Sequence, residues 1–270
     1  MKNLNELVLE RVRSVVAHDP ATGSLQYRLT SIEDPSLKST SESDEVTDAL
    51  GSVITTLYKA KKATFSGSNS ILSLDLAAAQ FGSKKEIGSE NNKITDCTYE
   101  ILTIKDGKVA LKNAPIENTI HLYSIEDGVV GTEYKQGSAV SATEFLYDNT
   151  TNKTTDEPPK VIPTIKTPTG LTGKVYIEYN FENADAIQVR NNASQFPSTS
   201  NLVIHSIFSD KCNDNIKYAG KIIGEKAKLN PASLEYNLTS TGKHPFEYNF
   251  SKDYCADEGE DELFRIIVSQ

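Results

Sequence analysis

Cysteine is scarce in this sequence, whose 270 residues include only Cys97, Cys212 and Cys255. No two of them are spaced as C-x-x-C, and the four histidines lie far from them along the chain. Disulfide-stapled domains and structural zinc sites need denser and more regular cysteine spacing. The sequence therefore predicts reduced cysteines in an intracellular compartment, without a disulfide framework or a zinc site.

Long apolar runs are also missing. No run approaches the roughly 18 apolar residues that a membrane-spanning helix needs. The first residues carry Glu6, Glu10, Arg11 and Arg13 within their apolar pattern, unlike a secretory signal peptide. We therefore expect neither a membrane span nor a secretory signal.

Basic residues are in the minority: 28 Lys and Arg stand against 37 Asp and Glu, for a formal charge of -9 and a pI near 5.1. Nucleic-acid binding depends on clustered Lys and Arg. The charge balance therefore argues against general affinity for nucleic acid. It is compatible with a surface that nucleic acid passes without adhering.

Motifs for catalysis or cofactor binding are absent too, because the sequence holds no G-x-S-x-G, H-E-x-x-H, Walker A or dinucleotide-binding glycine pattern. No histidine stands beside a nucleophile at motif spacing, and His205 lies in an apolar strand pattern. The acids of 257–262 lack the alternating ligands and glycine of a calcium loop. With no Trp and with Phe and Tyr at strand positions, no sugar platform is evident. We expect no enzyme, cofactor or metal.

The first elements of the chain are predicted from apolar spacing. Leu4, Leu7, Val8, Val12 and Val15 share one side of a helical pattern, which predicts an N-terminal helical segment over residues 4–16. After the turn at 19–23, residues 25–29 alternate as a half-buried strand.

An acidic stretch follows at 32–48, with six acids against Lys38. Its composition favours either a disordered surface loop or an extended acidic arm at the tip of a long hairpin. Next, Val53–Leu57 and Ala63–Ser66 read as two strands around a basic corner at Lys59–Lys62. Ser70 or Asn69 would then cap a short helix that carries Leu72, Leu76 and Ala79 and closes at Gly82.

The remainder of the chain reads as strands and turns. Asp106-Gly107 and Asp127-Gly128 each predict a hairpin, and residues 153–170 form a Pro/Thr-rich linker or exposed loop. Six further strands are predicted at Val175–Phe181, Leu202–Phe208, Tyr218–Leu229, Leu234–Leu238, Phe246–Phe250 and Leu263–Val268. The predicted fold class is mainly β, an antiparallel sandwich or barrel with one short flanking helix and the N-terminal helical segment.

The order of these features resembles a tail tube protein (major tail protein) of a tailed bacteriophage. The resemblance rests on residues 45–51 (EVTDALG), 64–82 and 231–250, and it would cover most of the chain as a single domain, 1–270, with a possible sub-boundary near 153–170. It implies hexameric rings, closed through a shared inner sheet and stacked into a tube that delivers DNA. The protein would then be a virion component made in the host cytoplasm.

The resemblance also implies contacts between copies and with other tail components. The strands Val53–Leu57 and Ala63–Ser66 are candidates for the inner sheet. Lys59, Lys61 and Lys62 would pair with acidic loops of a neighbour. The candidate contact residues are Glu42, Asp44, Glu45, Asp48, Lys59, Lys61 and Lys62. Further partners would be sheath, tape-measure, baseplate or terminator proteins, with DNA in transient passage and no membrane.

Two other classes fit the same pattern. One is a different virion or surface component, such as a baseplate hub, a head decoration protein or an Ig-like adhesin module, which would not form stacked hexamers. The other is a carbohydrate-binding or carbohydrate-active β protein in which acids such as Asp257 or Glu260 bind the sugar or act on it.

Overall fold

The structure is a computed structural model that describes residues 6–149, 161–239, 242–252 and 262–269. The chain forms two compact units. Unit 1 combines Met1–Lys85 with Val189–Gln270, and unit 2 is Glu86–Gln188. In sequence, unit 2 is therefore inserted between the two segments of unit 1. Residues 161–170, the described part of the Pro/Thr-rich stretch, belong to unit 2.

The chain is mainly β, with antiparallel sheets that include a nearly closed, barrel-like one. In chain order the elements of the first segment are β1 (Leu7–His18), β2 (Leu25–Leu29), β3 (Ile32–Thr47), β4 (Val53–Asn69) and α1 (Leu74–Phe81). Unit 2 holds β5 (Glu86–Ile87), β6 (Ile94–Thr103), β7 (Lys108–Ala110), β8 (His121–Glu126), β9 (Val129–Gln136), β10 (Glu144–Asp148), β11 (Thr164–Lys166), β12 (Lys174–Asn183) and β13 (Ile187–Gln188). The last segment holds β14 (Thr199–Asp210), β15 (Asn213–Leu229), a 3-10 turn (Pro231–Ser233), β16 (His244–Phe250) and β17 (Arg265–Ser269).

The sheet of unit 1 has the order β2-β1-β14-β15-β16-β4-β3, and β17 pairs with β15. Its inward face forms one apolar core, with Val15, Ile204, Phe65 and Tyr248 among its fully or nearly fully buried side chains. The strands of this core come from both ends of the chain. The core of unit 1 therefore forms only when the segments on either side of the insertion meet.

The predicted N-terminal helix is wrong, because residues 7–18 form β1. This strand pairs antiparallel with β14 and carries two bulges, between Leu9 and Arg11 and between Val12 and Ser14. Each bulge adds one residue and interrupts the alternation of a strand. The resulting apolar spacing resembles that of a helix. The β-branched valines at 8, 12, 15 and 16 fit the strand better.

The acidic stretch and the basic corner are parts of one long hairpin. β3 pairs with β4 from Ile32↔Asn69 to Thr47↔Val53, so the hairpin prediction holds for 32–47 and the disordered-loop alternative is wrong. The predicted reversal at Lys59–Lys62 is also wrong, since β4 runs through it without a turn. Ala60 has a positive φ of 50° next to a register shift between Thr40 and Glu42. The basic residues therefore mark a bulge.

The short helix is confirmed, with a different N-cap. The hydroxyl of Ser73, and not Ser70 or Asn69, accepts a hydrogen bond from the Leu76 amide at 3.2 Å. Gly82 ends the helix with a φ of 65°, the left-handed conformation that glycine adopts without a Cβ clash. Lys85 forms an ion pair with Asp75 in the first turn.

Unit 2 contains a sheet with the order β6-β12-β8-β9-β10-β11-β7, antiparallel except for the β9–β10 pair, which is parallel. Its core includes Leu122, Phe145, Ile165 and Ile177, all fully buried. Ile165 lies in the Pro/Thr-rich stretch. That stretch therefore contributes a core strand, which a linker or an exposed loop would not do.

The two Asp-Gly turns have different outcomes. Asp127-Gly128 joins the hairpin β8–β9 as predicted. At Asp106-Gly107 the turn forms, with an isolated bridge between Lys105 and Lys108. The strands on either side then separate, since β6 pairs with β12 and β7 with β11. A tight turn fixes only the local chain reversal, and sheet partners are chosen by side-chain packing.

Five of the six later strands are present, and the one predicted at Leu234–Leu238 is wrong. Asn230 caps the preceding 3-10 turn through a hydrogen bond from the Ala232 amide. Tyr236 is then held by its side chain, whose hydroxyl donates to Gln80 Oε1 at 2.7 Å. Tyr236 is therefore anchored by its side chain without a sheet ladder, whereas Leu238 is exposed.

Candidate assembly surface

The outer half of the β3–β4 hairpin, residues 39–62, is named the arm. Every residue of the arm is exposed except Thr56, which is half-buried. A two-stranded hairpin is at best marginally stable in water without a third strand or a packed face. The arm is consequently the part of unit 1 that most needs a surface outside its own chain.

The tip of the arm is fixed by Asp48. Its carboxylate accepts hydrogen bonds from the amides of Leu50 and Ser52, at 2.9 and 2.8 Å. Gly51 completes the turn with a φ of 85°. Aspartate commonly stabilises turns in this way. Asp48, predicted as a contact residue, therefore has a structural role within the chain.

The other predicted contact residues are brought together on the arm itself. Lys59 Nζ lies 2.5 Å from Asp44 Oδ2 and Lys62 Nζ lies 3.0 Å from Glu42 Oε1. Glu45 lies opposite Thr56 in the ladder. Lys61 has no ion-pair partner in the described part of the chain. Two of the three lysines thus pair with acids of their own hairpin.

Sequence reasoning missed the apolar residues of the arm. Six large apolar side chains are exposed there: Val46, Leu50, Val53, Ile54, Leu57 and Tyr58. Leu57 lies opposite Asp44 and Tyr58 opposite Ser43, so alternation places them on opposite faces of the hairpin. Each face therefore offers apolar contact area beside charged or hydroxyl groups.

A signal for these residues was present in the sequence. Strand β4 is rich in apolar residues, whereas its predicted partner stretch, 32–48, consists mostly of acids, Ser and Thr. Apolar side chains that lack apolar partners across the ladder are not buried by the hairpin itself. The prediction of a strand at Val53–Leu57 did not take this mismatch into account.

The root of the hairpin, residues 32–38 and 63–69, is held in unit 1 by packing and ion pairs. Ala63, Phe65 and Asn69 are buried, and the Phe65 ring lies 5.9 Å from Phe246 and 6.4 Å from Tyr248. Lys243 Nζ adds ion pairs to Glu33 and Asp34 at 2.6 and 3.2 Å, and these contacts raise the pKa of Lys243. The arm therefore starts from a fixed base.

A basic cluster lies on the outward face of the same sheet. Arg13, Arg28, His205 and Lys221 line a depression of about 390 Å³. Within the described ranges, no ion-pair partner is found for Arg13, Arg28 or Lys221. Burial, followed by the charges of Lys221, Arg28 and Arg13, lowers the pKa of His205. The cluster can attract an anionic group. No sequence signal marked it, because these residues lie far apart along the chain.

The described residues do not form a metal centre. They hold no group of three or more His, Cys, Asp or Glu side chains arranged to bind a metal. Cys97 and Cys212 are free and exposed. Cys255 and most of the acids at 257–262 lie outside the described residues. Among the described helices, none has the length and apolar character to cross a membrane.

Comparison with known proteins gives one family. The model of the YomU/Tube protein family matches residues 7–259, which include both units almost completely. No curated protein matches the sequence. The tube family is structural and not enzymatic. The match confirms the resemblance to a phage tail tube protein and indicates a virion component.

Proposed function

We propose that this chain, which belongs to the YomU/Tube protein family, assembles as hexameric rings that stack into the phage tail tube. The observation that supports this most directly is the arm: residues 39–62 extend from a packed root and expose six large apolar side chains. Exposed apolar patches of this kind are typical of protein–protein contacts. We propose that the arm lies against a neighbouring copy.

The energetics of such a contact are favourable. Fully burying one Leu, Ile or Val side chain stabilises an interface by about 1.5–3 kcal/mol. Several such side chains on each arm, repeated in every copy, supply a substantial association free energy. Head-to-tail contacts either close into rings or continue as filaments, and a stacked tube uses both forms.

The charged residues of the arm remain proposed contacts. We propose that Glu42, Asp44, Glu45, Asp48, Lys59, Lys61 and Lys62 lie at the border of this interface. Lys61 is the strongest candidate for a pair with a neighbour, since it has no ion-pair partner among the described residues. Polymerisation that survives charge reversal at both Lys61 and Lys62 would argue against their role.

We further propose that the assembled tube is the conduit for DNA delivery. The excess of acids over bases, with a formal charge of -9, favours passage of DNA without adhesion. Sheath, tape-measure, baseplate and terminator proteins are proposed as the further partners of such a tube.

Negative-stain electron microscopy over a range of concentrations, with light scattering alongside, tests the proposal. The wild-type chain is expected to form hollow tubes or rings with a central channel. Leu57→Asp combined with Tyr58→Asp should abolish them, because charged groups on both faces of the arm oppose burial. Val129→Asp is the matched control, since the exposed fraction of Val129 lies between those of Leu57 and Tyr58 but the residue belongs to β9 of unit 2.

Two results would contradict the proposal in different ways. Tubes that still form from the arm variant would exclude the arm as the contact while leaving the tube in place. A wild-type chain that stays monomeric at every concentration, even when fragments of assembled tails are added as seeds, would exclude tube formation itself.

A further inference from the structure

Three tyrosines form a row on the outward face of the unit 2 sheet. Tyr99, Tyr176 and Tyr123 lie on the neighbouring strands β6, β12 and β8, with ring centroids 5.7 and 6.0 Å apart. Val175 and Ile177, on either side of Tyr176, are fully buried, so alternation turns Tyr176 away from the core. Tyr99, at one end of the row, is 65% exposed.

A hollow of about 440 Å³ with mixed polar and apolar walls adjoins this row at Tyr99. Besides Tyr99, its walls include Asn118, Thr119, His121, Glu178 and Asn180. Neither Lys nor Arg lines it. A concave site with an aromatic wall and a few converging polar groups is the usual form of a small-ligand site.

The rim of the hollow is held in place by hydrogen bonds. The Ile116 amide donates to the Asn180 carbonyl at 2.7 Å, and the Asn180 amide donates to Thr119 Oγ1 at 3.1 Å. Asn118, between them, has a φ of 62°, a conformation that few residues other than glycine adopt and that asparagine tolerates. The loop is therefore fixed before any ligand arrives.

The polar groups of this rim are available to a ligand. In the part of the chain that the structure describes, the side-chain amides of Asn118 and Asn180 have no hydrogen-bond partner. Each amide can both donate and accept, which suits hydroxyl groups. Glu178 accepts a hydrogen bond from the Tyr176 hydroxyl and retains further acceptor positions.

The charge of the surface narrows the class of ligand. Glu178 and Glu133, whose Oε1 lies 2.9 Å from His121 Nδ1, are both carboxylates. Hydrogen bonding to Glu178 raises the pKa of Tyr176 to about 12, so the Tyr176 hydroxyl donates to Glu178 and brings no negative charge to the surface. Glu178 lines the hollow and Glu133 contacts its wall at His121, whereas neither Lys nor Arg is among the lining residues, so the hollow disfavours phosphate and sulfate groups. The ligand is therefore uncharged or cationic.

We propose that this surface binds an uncharged saccharide. The apolar C–H face of a sugar ring would stack on the exposed face of Tyr99, as apolar rings pack on aromatic side chains. Its hydroxyls would bond to Asn118, Asn180 and Glu178. Tyr residues at strand positions are compatible with such a platform, because alternate strand positions face outward. This inference does not depend on tube assembly.

An array of uncharged glycans, followed by saturation-transfer NMR with methyl glycosides of glucose, galactose and N-acetylglucosamine, tests the proposal on the full chain. The wild-type chain is expected to bind at least one of them. Tyr99→Ala should weaken binding at least tenfold, whereas Tyr99→Phe, which keeps the ring, should retain most of it. Glu178→Gln, which keeps the shape of the side chain, should weaken binding about tenfold.

The matched control is Tyr58→Ala, which removes an exposed tyrosine of the arm and should leave glycan binding unchanged. A melting temperature for each variant separates lost binding from lost folding. The proposal is overturned if no uncharged glycan binds, or if Tyr99→Ala binds as well as wild type. Stronger binding of amino sugars or lysine-rich peptides than of neutral glycans would also overturn it, in favour of a cationic ligand held by the rings and carboxylates.

Discussion

The root and the arm of the β3–β4 hairpin are built from the same two strands but lie in opposite environments. The root packs Phe65 against Phe246 and Tyr248, whereas the arm leaves Leu57 and Tyr58 more than half exposed. Ladder pairing continues from one to the other. The difference shows that hydrogen bonding between two strands does not by itself bury their side chains. Beyond the core, the same strands carry apolar residues that the described chain leaves exposed.

The largest stability effect is expected at the root. Phe65→Ala should lower the free energy of unfolding by about 3–5 kcal/mol, because it leaves a cavity among fully buried rings. Chemical denaturation of the unassembled chain measures it. A loss below about 1 kcal/mol would mean that the root is no better packed than the arm, and the contrast between them would fail.

A smaller loss of stability is expected at the buried pair Tyr27 and Tyr248, whose second member packs against Phe65 of the root. The hydroxyls of Tyr27 and Tyr248 are hydrogen-bonded to each other, and both side chains are almost fully buried. Tyr248→Phe should cost about 1–3 kcal/mol, because it leaves the Tyr27 hydroxyl buried without a partner. The double variant with Tyr27→Phe should recover part of this loss, and a double-mutant cycle measures the coupling.

The ion pair between Asp44 and Lys59 on the arm should contribute less to the free energy of unfolding. Asp44→Asn or Lys59→Gln is expected to change the free energy of unfolding by at most about 1 kcal/mol, since exposed pairs lose most of their attraction to solvent. Denaturation at low and high salt checks this, because the small effect should disappear as the salt concentration rises. A larger cost would show that the arm contributes to the stability of the fold.

The smallest stability effect is expected at Leu57. Leu57→Ser should leave the free energy of unfolding within about 0.5 kcal/mol of wild type, as is usual for exposed positions. The same variant should reduce polymerisation in light scattering. Loss of stability without loss of polymerisation would reverse the assignment, with the arm folding onto its own chain instead of onto a neighbour.

Much of the fold could be predicted from local pattern. The alternation of Val175, Ile177 and Tyr179, the Asp127-Gly128 turn and the Gly82 helix end all have causes within a few residues, and the structure contains each of them. The N-terminal element failed because bulges in β1 depend on its partner β14. Sequence alone does not reveal a partner some 190 residues away.

The candidate surfaces were predicted less well, for a similar reason. The charged residues of the arm were found because they cluster in sequence, but their pairing within one hairpin depends on the register of β3 against β4. The tyrosine row and the basic cluster combine residues from separate strands. Which side of a strand faces outward depends on the core against which the strand packs. The sequence did not show that residues 86–188 form a unit with a core of their own.

The pairing of charges within the arm has a kinetic consequence. Its four acids and three lysines nearly cancel, and two of the lysines already have partners on the same hairpin. The arm therefore gives an approaching copy little long-range attraction, while the whole copies, each with a formal charge of -9, repel one another. Screening weakens this repulsion. Growth of the proposed tube should consequently become faster as ionic strength rises, so the salt concentration around the unassembled copies would set how fast they associate.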